Sequence, residues 1–284
     1  MIAYFNGAYC PKDAIAVSPD DRGFLFADGL YEVIRAYRGR LFLAEGHLER
    51  LNTGARSLNL AVRDFSYLKE VAEQLLAKND LASDATVYFQ ITRGAAPRGH
   101  AFPDPDVALT VYATAAPFDP GPGLKKQENG IPVILVPDQR WARCDLKTVG
   151  LTANVLANQR AKENGAGEAL FVRDGVILEG THSNFMAVMD NRLVTAPATN
   201  HILHGITRKL VLDLAREKGI PVMEAPVFEA DRHRISEAFI TGTTTEITPV
   251  TAIDTTPVGK GVPGPVTRKL QAAYKERIAA LTQS

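Results

Sequence analysis

Apolar residues recur along this chain at two periods, and the period changes where the elements change. Tyr31 to Tyr37 alternates: Tyr31, Val33, Arg35 and Tyr37 fall on one face, Glu32, Ile34 and Ala36 on the other, which predicts a strand. From Glu45 the period lengthens, and Leu48, Leu51, Ala55 and Leu58 form a helical stripe with Arg50 off it. Leu68, Val71, Ala72 and Leu75 predict a second amphipathic helix over Tyr67 to Lys78. Alternation returns at Thr86 to Thr92, with Val87, Phe89 and Ile91 opposite Tyr88, Gln90 and Thr92. Asn6-Gly7 and Arg38-Gly39 are turns between short strands. Asp20 to Gly29 predicts a loop of fixed shape, and a long loop from Arg93 to Pro105 leads into a strand at Val107 to Tyr112.

Three prolines and two glycines between Pro117 and Gly123 interrupt the pattern. They predict an N-terminal α/β domain over 1–116, a linker over 117–124 and a second domain over 125–284. That second domain opens with a strand at Pro132 to Val136 and a helix at Asn154 to Asn164. Asp174-Gly175 and Asp190-Asn191-Arg192 mark two hairpins. A helix runs from Gly205 to Lys218, and the strand Ala238 to Thr241 enters the turn Gly242-Thr243-Thr244-Thr245. The last helix spans Val266 to Leu281 and buries Leu270, Tyr274, Ile278 and Leu281.

Composition narrows the function. Lys+Arg and Asp+Glu are both 32 in 284 residues, so neither nucleic acid nor an anionic membrane is expected as a partner. No apolar run approaches the roughly 20 residues that span a bilayer. Two cysteines, Cys10 and Cys144, make no disulfide framework and point to a reducing, cytoplasmic setting. His47 and His182 have no partners at ligand spacing, so no metal is expected.

The candidate chemistry centres on Lys147, which lies between Leu146 and Val149 in the stretch Arg140 to Gly150. Such a lysine either reaches to water or is a desolvated amine, and desolvation makes an amine nucleophilic near neutral pH. Gly205-Ile206-Thr207 opens a helix, where free N–H groups and the helix dipole favour an anion. Gly242 to Thr245 offers a second set of N–H and hydroxyl donors, and Arg50 adds a cation. Glu179 ends a strand before Gly180 and needs a positive partner if covered. Arg98 and His100 share a loop, and an arginine fork with an imidazole suits a carboxylate. Tyr31 and Tyr88 are strand tyrosines. Arg140 and Arg143 carry no evident chemistry and are assigned structural or interface roles.

Six segments occur in order: Asp21 to Val33, His47 to Leu51, Arg140 to Lys147, Leu178 to Asn184, Gly205 to Arg208, and Thr243 to Pro249. Together they resemble the class IV aminotransferases, the fold-type IV pyridoxal phosphate enzymes, over nearly the whole chain, and most of all the branch acting on D-amino acids. The resemblance implies a two-domain α/β fold, an N-terminal α/β sandwich and a barrel-like C-terminal domain, with pyridoxal 5'-phosphate between them. It implies that Lys147 carries the Schiff base and shuttles the proton, and that Glu179 pairs with the pyridine nitrogen. Arg50, Ile206, Thr207 and Thr243 would hold the phosphate. Tyr31, Arg98, His100 and Thr244 would hold the substrate, the Arg98 loop being lent by the partner of a homodimer. The expected activity is ping-pong transfer from a D-amino acid, such as D-alanine, to a 2-oxo acid.

Within the same fold the alternatives are an (R)-amine transaminase, a branched-chain L-amino acid transaminase and an aminodeoxychorismate lyase. A rival of another class is a non-catalytic cofactor carrier, which has no use for Arg98 and His100. The chain departs from the D-amino acid pattern at Gly242, where a serine is expected, and at Thr181-His182, which replace a serine pair.

Overall fold

By backbone contacts the chain divides into two units: Met1–Asp119 with Leu146–Gly150, and Pro120–Asp145 with Leu151–Gln283. The structure is a computed structural model, and it describes residues 1–283.

The first unit contains β1 (Ile2–Phe5), β2 (Ala8–Pro11), α1 (Arg22–Phe26), β3 (Gly29–Tyr37), β4 (Arg40–Leu41), α2 (Ala44–Ser57), α3 (Leu68–Lys78), β5 (Ala85–Thr92) and β6 (Thr110–Pro117). Its six strands form one sheet in the order β2-β1-β6-β5-β3-β4, with all neighbours antiparallel. The helical stripes of α2 and α3 lie on the sheet face that carries Ile34, Val87, Phe89 and Ile91, and together they make one core. Fully burying each such side chain contributes roughly 1.5–3 kcal/mol.

Two expectations are revised in this unit. The strand expected at Val107 to Tyr112 begins instead at Thr110 and runs to Pro117. Its inward residues are Val111, Ala113 and Ala115, and alanines give a weak hydrophobic signal. The loop of fixed shape at Asp20 to Gly29 contains α1, too short to show a helical period. Asp21 caps it, accepting the Gly23 N–H at 2.8 Å. The same carboxylate accepts the hydroxyls of Thr92 and Thr110, which ties the loop to β5 and β6.

The second unit contains α4 (Gly121–Asn129), β7 (Ile131–Pro137), α5 (Thr152–Glu163), β8 (Glu168–Arg173), β9 (Val176–Gly180), β10 (Asn184–Met189), β11 (Arg192–Thr195), α6 (Ile206–Glu217), β12 (Val222–Glu224), β13 (Val227–Phe228), β14 (Glu237–Gly242), β15 (Glu246–Ile253), β16 (Thr256–Pro257) and α7 (Pro265–Gln283). Helix α4 begins inside the Pro/Gly stretch, with proline in its first turn, where a missing N–H costs nothing. The strands form one ten-stranded sheet. Six of them, β10-β14-β15-β7-β8-β9, close into a ring because Glu179 on β9 pairs with Asn184 on β10. Ile131, Val133, Leu170, Ile177, Phe185, Ile240, Val250 and Ile253 belong to its main core. Among the described residues, no helix is long and apolar enough to cross a membrane.

Candidate active site

Lys147 belongs to the first unit, although it follows the second unit's opening strand in the sequence. Its short segment lies beside the start of β3, where Leu30 and Thr148 form an antiparallel bridge. The Tyr31 N–H donates to the Lys147 carbonyl at 3.0 Å, and the Val149 N–H donates to the Gly29 carbonyl at 3.1 Å. Backbone bonds on both sides therefore hold the lysine in place. Its Nζ lies 4.2 Å from the centroid of the Tyr31 ring, a cation–π contact. Tyr31 in turn stacks on Tyr88 at 5.9 Å, whose hydroxyl donates to Gln90 Oε1 at 2.7 Å. Burial pushes the Tyr88 phenol up to about 12.

Next to Tyr31, on the opposite face of β3, Glu32 is completely buried. One oxygen accepts Arg50 Nε at 2.6 Å; the other accepts Arg50 Nη2 at 2.8 Å and pairs with His47 Nδ1 at 2.8 Å. His47 and Arg50 are one turn apart on α2, so the helix aims both at one carboxylate. Burial works against the Glu32 charge, but Arg50 and His47 outweigh it and hold the carboxyl well below the usual range. Burial, followed by Arg50 and Lys147, pushes His47 below its usual value against the pull of Glu32. A neutral imidazole bonded to a carboxylate donates from Nδ1. In the sequence pattern Glu32 shares a strand face with Ile34 and Ala36. A carboxylate on a buried face needs partners, so that signal was available.

Arg98 and His100 are exposed, yet both pack on Phe26: Arg98 Cζ lies 5.2 Å and the His100 ring 5.6 Å from that ring. Their loop is pinned by Arg22, which donates to the carbonyls of Gly99 and Ala101 and pairs with Asp28. Arg93 pairs with the same Asp28 and donates to the carbonyls of Leu58 and Asn59. The loop hangs on a buried framework, while Arg98 and His100 face outward on the aromatic ring.

In the second unit Glu179 is the central group. Its Oε1 accepts Arg140 Nη1 at 2.5 Å, and its Oε2 accepts Asn184 Nδ2 and the Leu203 N–H, both at 3.0 Å. Burial pushes the carboxyl up to about 7; Arg140 and the Leu203 N–H pull it down, and Asp138 pushes it up. Arg140 is held in turn by Asp138, with Nε and Nη2 donating at 2.9 and 3.1 Å. Arg140 thus has a specific partner that its sequence neighbours do not reveal, because it lies 39 residues from Glu179. The exposed Arg143 pairs with its near neighbour Asp145.

A second buried carboxylate orders the turn that follows β9. Glu168 Oε1 accepts the Ala169 and Thr181 N–H groups and the Thr181 hydroxyl, and Oε2 accepts the Ser183 hydroxyl. His182 Nδ1 lies 3.2 Å from Oε2. A side chain at Gly180 would meet Ser183 Oγ and Glu168, so the turn demands glycine there. Helix α6 starts after Gly205, which provides no side-chain cap, so its first N–H groups point free along the axis. Ile206 and Thr207 form that first turn, with Thr207 buried. Thr243 and Thr244 lie in the tight turn between β14 and β15.

A profile of the family described as amino-transferase class IV matches residues 29–253. The chain is 40% identical over 285 residues to a D-alanine aminotransferase from Bacillus licheniformis, covering 99% of each. It is 39% identical over 280 residues to one from Staphylococcus haemolyticus, covering 97% of each. Among solved structures, a branched-chain amino acid aminotransferase from Escherichia coli superposes with a TM-score of 0.86 at 28% identity, covering 96% of this chain and 92% of that one. The branched-chain aminotransferase from the archaeon Thermoproteus uzoniensis with norvaline gives a TM-score of 0.86 at 25% identity, covering 97% and 94%.

Proposed function

The chain belongs to the class IV aminotransferases, and on that premise we propose that it moves the amino group of a D-amino acid, such as D-alanine, to a 2-oxo acid, using pyridoxal 5'-phosphate. The full-length likeness to relatives named D-alanine aminotransferase carries the choice of substrate. The donor set fits the cofactor. It offers a primary amine fixed by backbone bonds on both sides, a buried carboxylate at Glu179, and a helix start with no side-chain cap.

Lys147 would hold the cofactor covalently until the substrate amine displaces it, and the freed Nζ would then be the base that takes the proton from the substrate Cα. Glu179 pairs with the ring nitrogen. The Ile206 and Thr207 N–H groups, Thr243 and Arg50 hold the phosphate. Bound in this way, the cofactor supplies an electron sink for the pair left when that proton departs. Tyr31, Arg98, His100 and Thr244 hold the substrate, with the Arg98 and His100 loop serving the partner in a homodimer. Two free cysteines suit a reducing, cytoplasmic setting.

The test is amino transfer to 2-oxoglutarate or pyruvate from D-alanine, L-leucine and a chiral primary amine, with light scattering to read the oligomer. Transfer from D-alanine well above the others is expected. Transfer from L-leucine with none from D-alanine would favour a branched-chain enzyme, the reading supported by the solved structures that superpose.

Arg98→Ala separates substrate from cofactor binding. An arginine–carboxylate contact is worth about 10- to 100-fold in affinity. The KM for D-alanine should rise by about that factor, with the covalently held cofactor retained. An unchanged KM removes Arg98 from the carboxylate site.

A further inference from the structure

We infer that Arg140, braced by Asp138, is a positioning residue for the transamination: it fixes the Glu179 carboxylate and favours its charged form for its partner. The inference rests on the proposed function, since it concerns the group that Glu179 serves.

The geometry is that of a clamp. β7 ends at Pro137, and Asp138 follows with its side chain fully buried. Asp138 Oδ1 accepts the Arg140 backbone N–H at 3.0 Å as well as Nε, so the two residues form a closed local turn. Arg173 donates to the Arg140 carbonyl at 3.0 Å and lies 3.1 Å from Asp138 Oδ2. The Arg140 guanidinium rests 4.2 Å from the Phe171 ring centroid and donates to the His201 carbonyl. Held at all these points, it presents Nη1 to Glu179. The Arg140 side chain is 7% exposed and that of Glu179 5%, so little water screens the pair.

A buried carboxylate without a cation takes up a proton. A neutral carboxylic acid no longer stabilises a positive ring nitrogen. Arg140 opposes that protonation, and Asp138 opposes the loss of Arg140 from its place. The other titratable or charged groups around the pair are Arg173, Cys144 and His201, whose Nδ1 lies 3.0 Å from Arg173 Nη1. Burial pushes the Cys144 thiol up to about 11, so it stays neutral at pH 7. Asn184 and the Leu203 N–H orient Glu179 without changing net charge. The same Asn184 pairs across the closure of the strand ring, so the clamp and the barrel share a residue.

The experiment compares wild type, Arg140→Gln and Arg140→Lys as full-length proteins. The Glu179 carboxyl is followed by isotope-edited infrared titration of cofactor-free protein and identified by its loss in Glu179→Gln. In Arg140→Gln its midpoint should rise by about one to three pH units. With cofactor bound, kcat for D-alanine at neutral pH should fall about tenfold per unit of that rise, with KM little changed. Arg140→Lys should restore the midpoint, a rescue that a space-filling role would not produce. If Arg140→Gln leaves Asp138 unpaired and does not fold, the double variant Asp138→Asn/Arg140→Gln removes that charge too; because Asp138 itself pushes the Glu179 carboxyl up, the midpoint should still rise above wild type, but by less. An unmoved midpoint, or a midpoint as high in Arg140→Lys as in Arg140→Gln, overturns the inference alone. A wild-type protein that takes up no cofactor, read as absent mass on Lys147 after borohydride reduction, overturns the functional reading and this inference with it.

Discussion

Replacing Lys147 with alanine is expected to lower turnover of D-alanine by at least about 10³-fold while leaving the fold intact, because one side chain supplies both the covalent anchor and the general base. The fold should survive because the segment is held by its backbone. The Lys147 carbonyl and the Val149 N–H make the bonds to β3, and an alanine keeps both. What disappears is the amine over Tyr31, and with it a cation–π contact worth on the order of 1 kcal/mol. Unchanged circular dichroism, lost covalent cofactor and lost turnover together are the expected result. A variant that keeps wild-type kcat, or that carries borohydride-reduced cofactor on another lysine, would remove Lys147 from the chemistry.

The second large effect is on stability. Glu32→Ala should cost about 3–5 kcal/mol, measured by denaturant unfolding of the full chain, because it takes the carboxylate shared by Arg50 and His47 from a fully buried position. Arg50 loses both contacts to Glu32, and His47 loses its acceptor. A cost below about 1 kcal/mol would mean that solvent reaches the cluster and that the pairing contributes little. The cluster also makes stability depend on pH in one direction. Glu32 is held below its usual range, so its contribution is complete above the ordinary carboxylate range and is lost as the pH falls toward its depressed folded value. His47 is also depressed in the folded state, because its neutral form is favoured. Its contribution is present above the usual histidine value and is lost as acid charges the unfolded chain first. Both effects predict acid destabilisation, beginning at about pH 6 where an ordinary histidine titrates. Glu32→Gln should flatten the carboxylate part of that slope.

The regular elements were largely legible. The stripes from Leu48 and from Leu68 locate α2 and α3, and Asp174-Gly175 and Asp190-Asn191 stand at the turns of two observed hairpins. Elements went astray where local signal was thin. β6 buries two alanines, α1 is five residues long, and α4 starts among prolines. At the candidate site, residue types and their order were visible. Pairings were not, with the partial exception of Glu32, whose inward position already called for a cation.

By itself the sequence determined which chemical groups the chain owns and the family they belong to. An amine between apolar neighbours, a strand-end carboxylate and a glycine before a helix are local patterns, and local patterns survive in one dimension. The tertiary structure decided how those groups are held. Arg140 meets Glu179 across 39 residues, and Arg50 meets Glu32 across 18. The first meeting requires β7, β8 and β9 to lie side by side, the second requires α2 to pack on β3, and no spacing along the chain encodes either. The charge on a buried carboxylate is set by what folding brings within about 3 Å of it. Lys147 shows the division most plainly: its neighbours in sequence left it either a solvated lysine or a desolvated amine, the ordered motifs around it pointed to a function, and its place beside β3 came only from the fold.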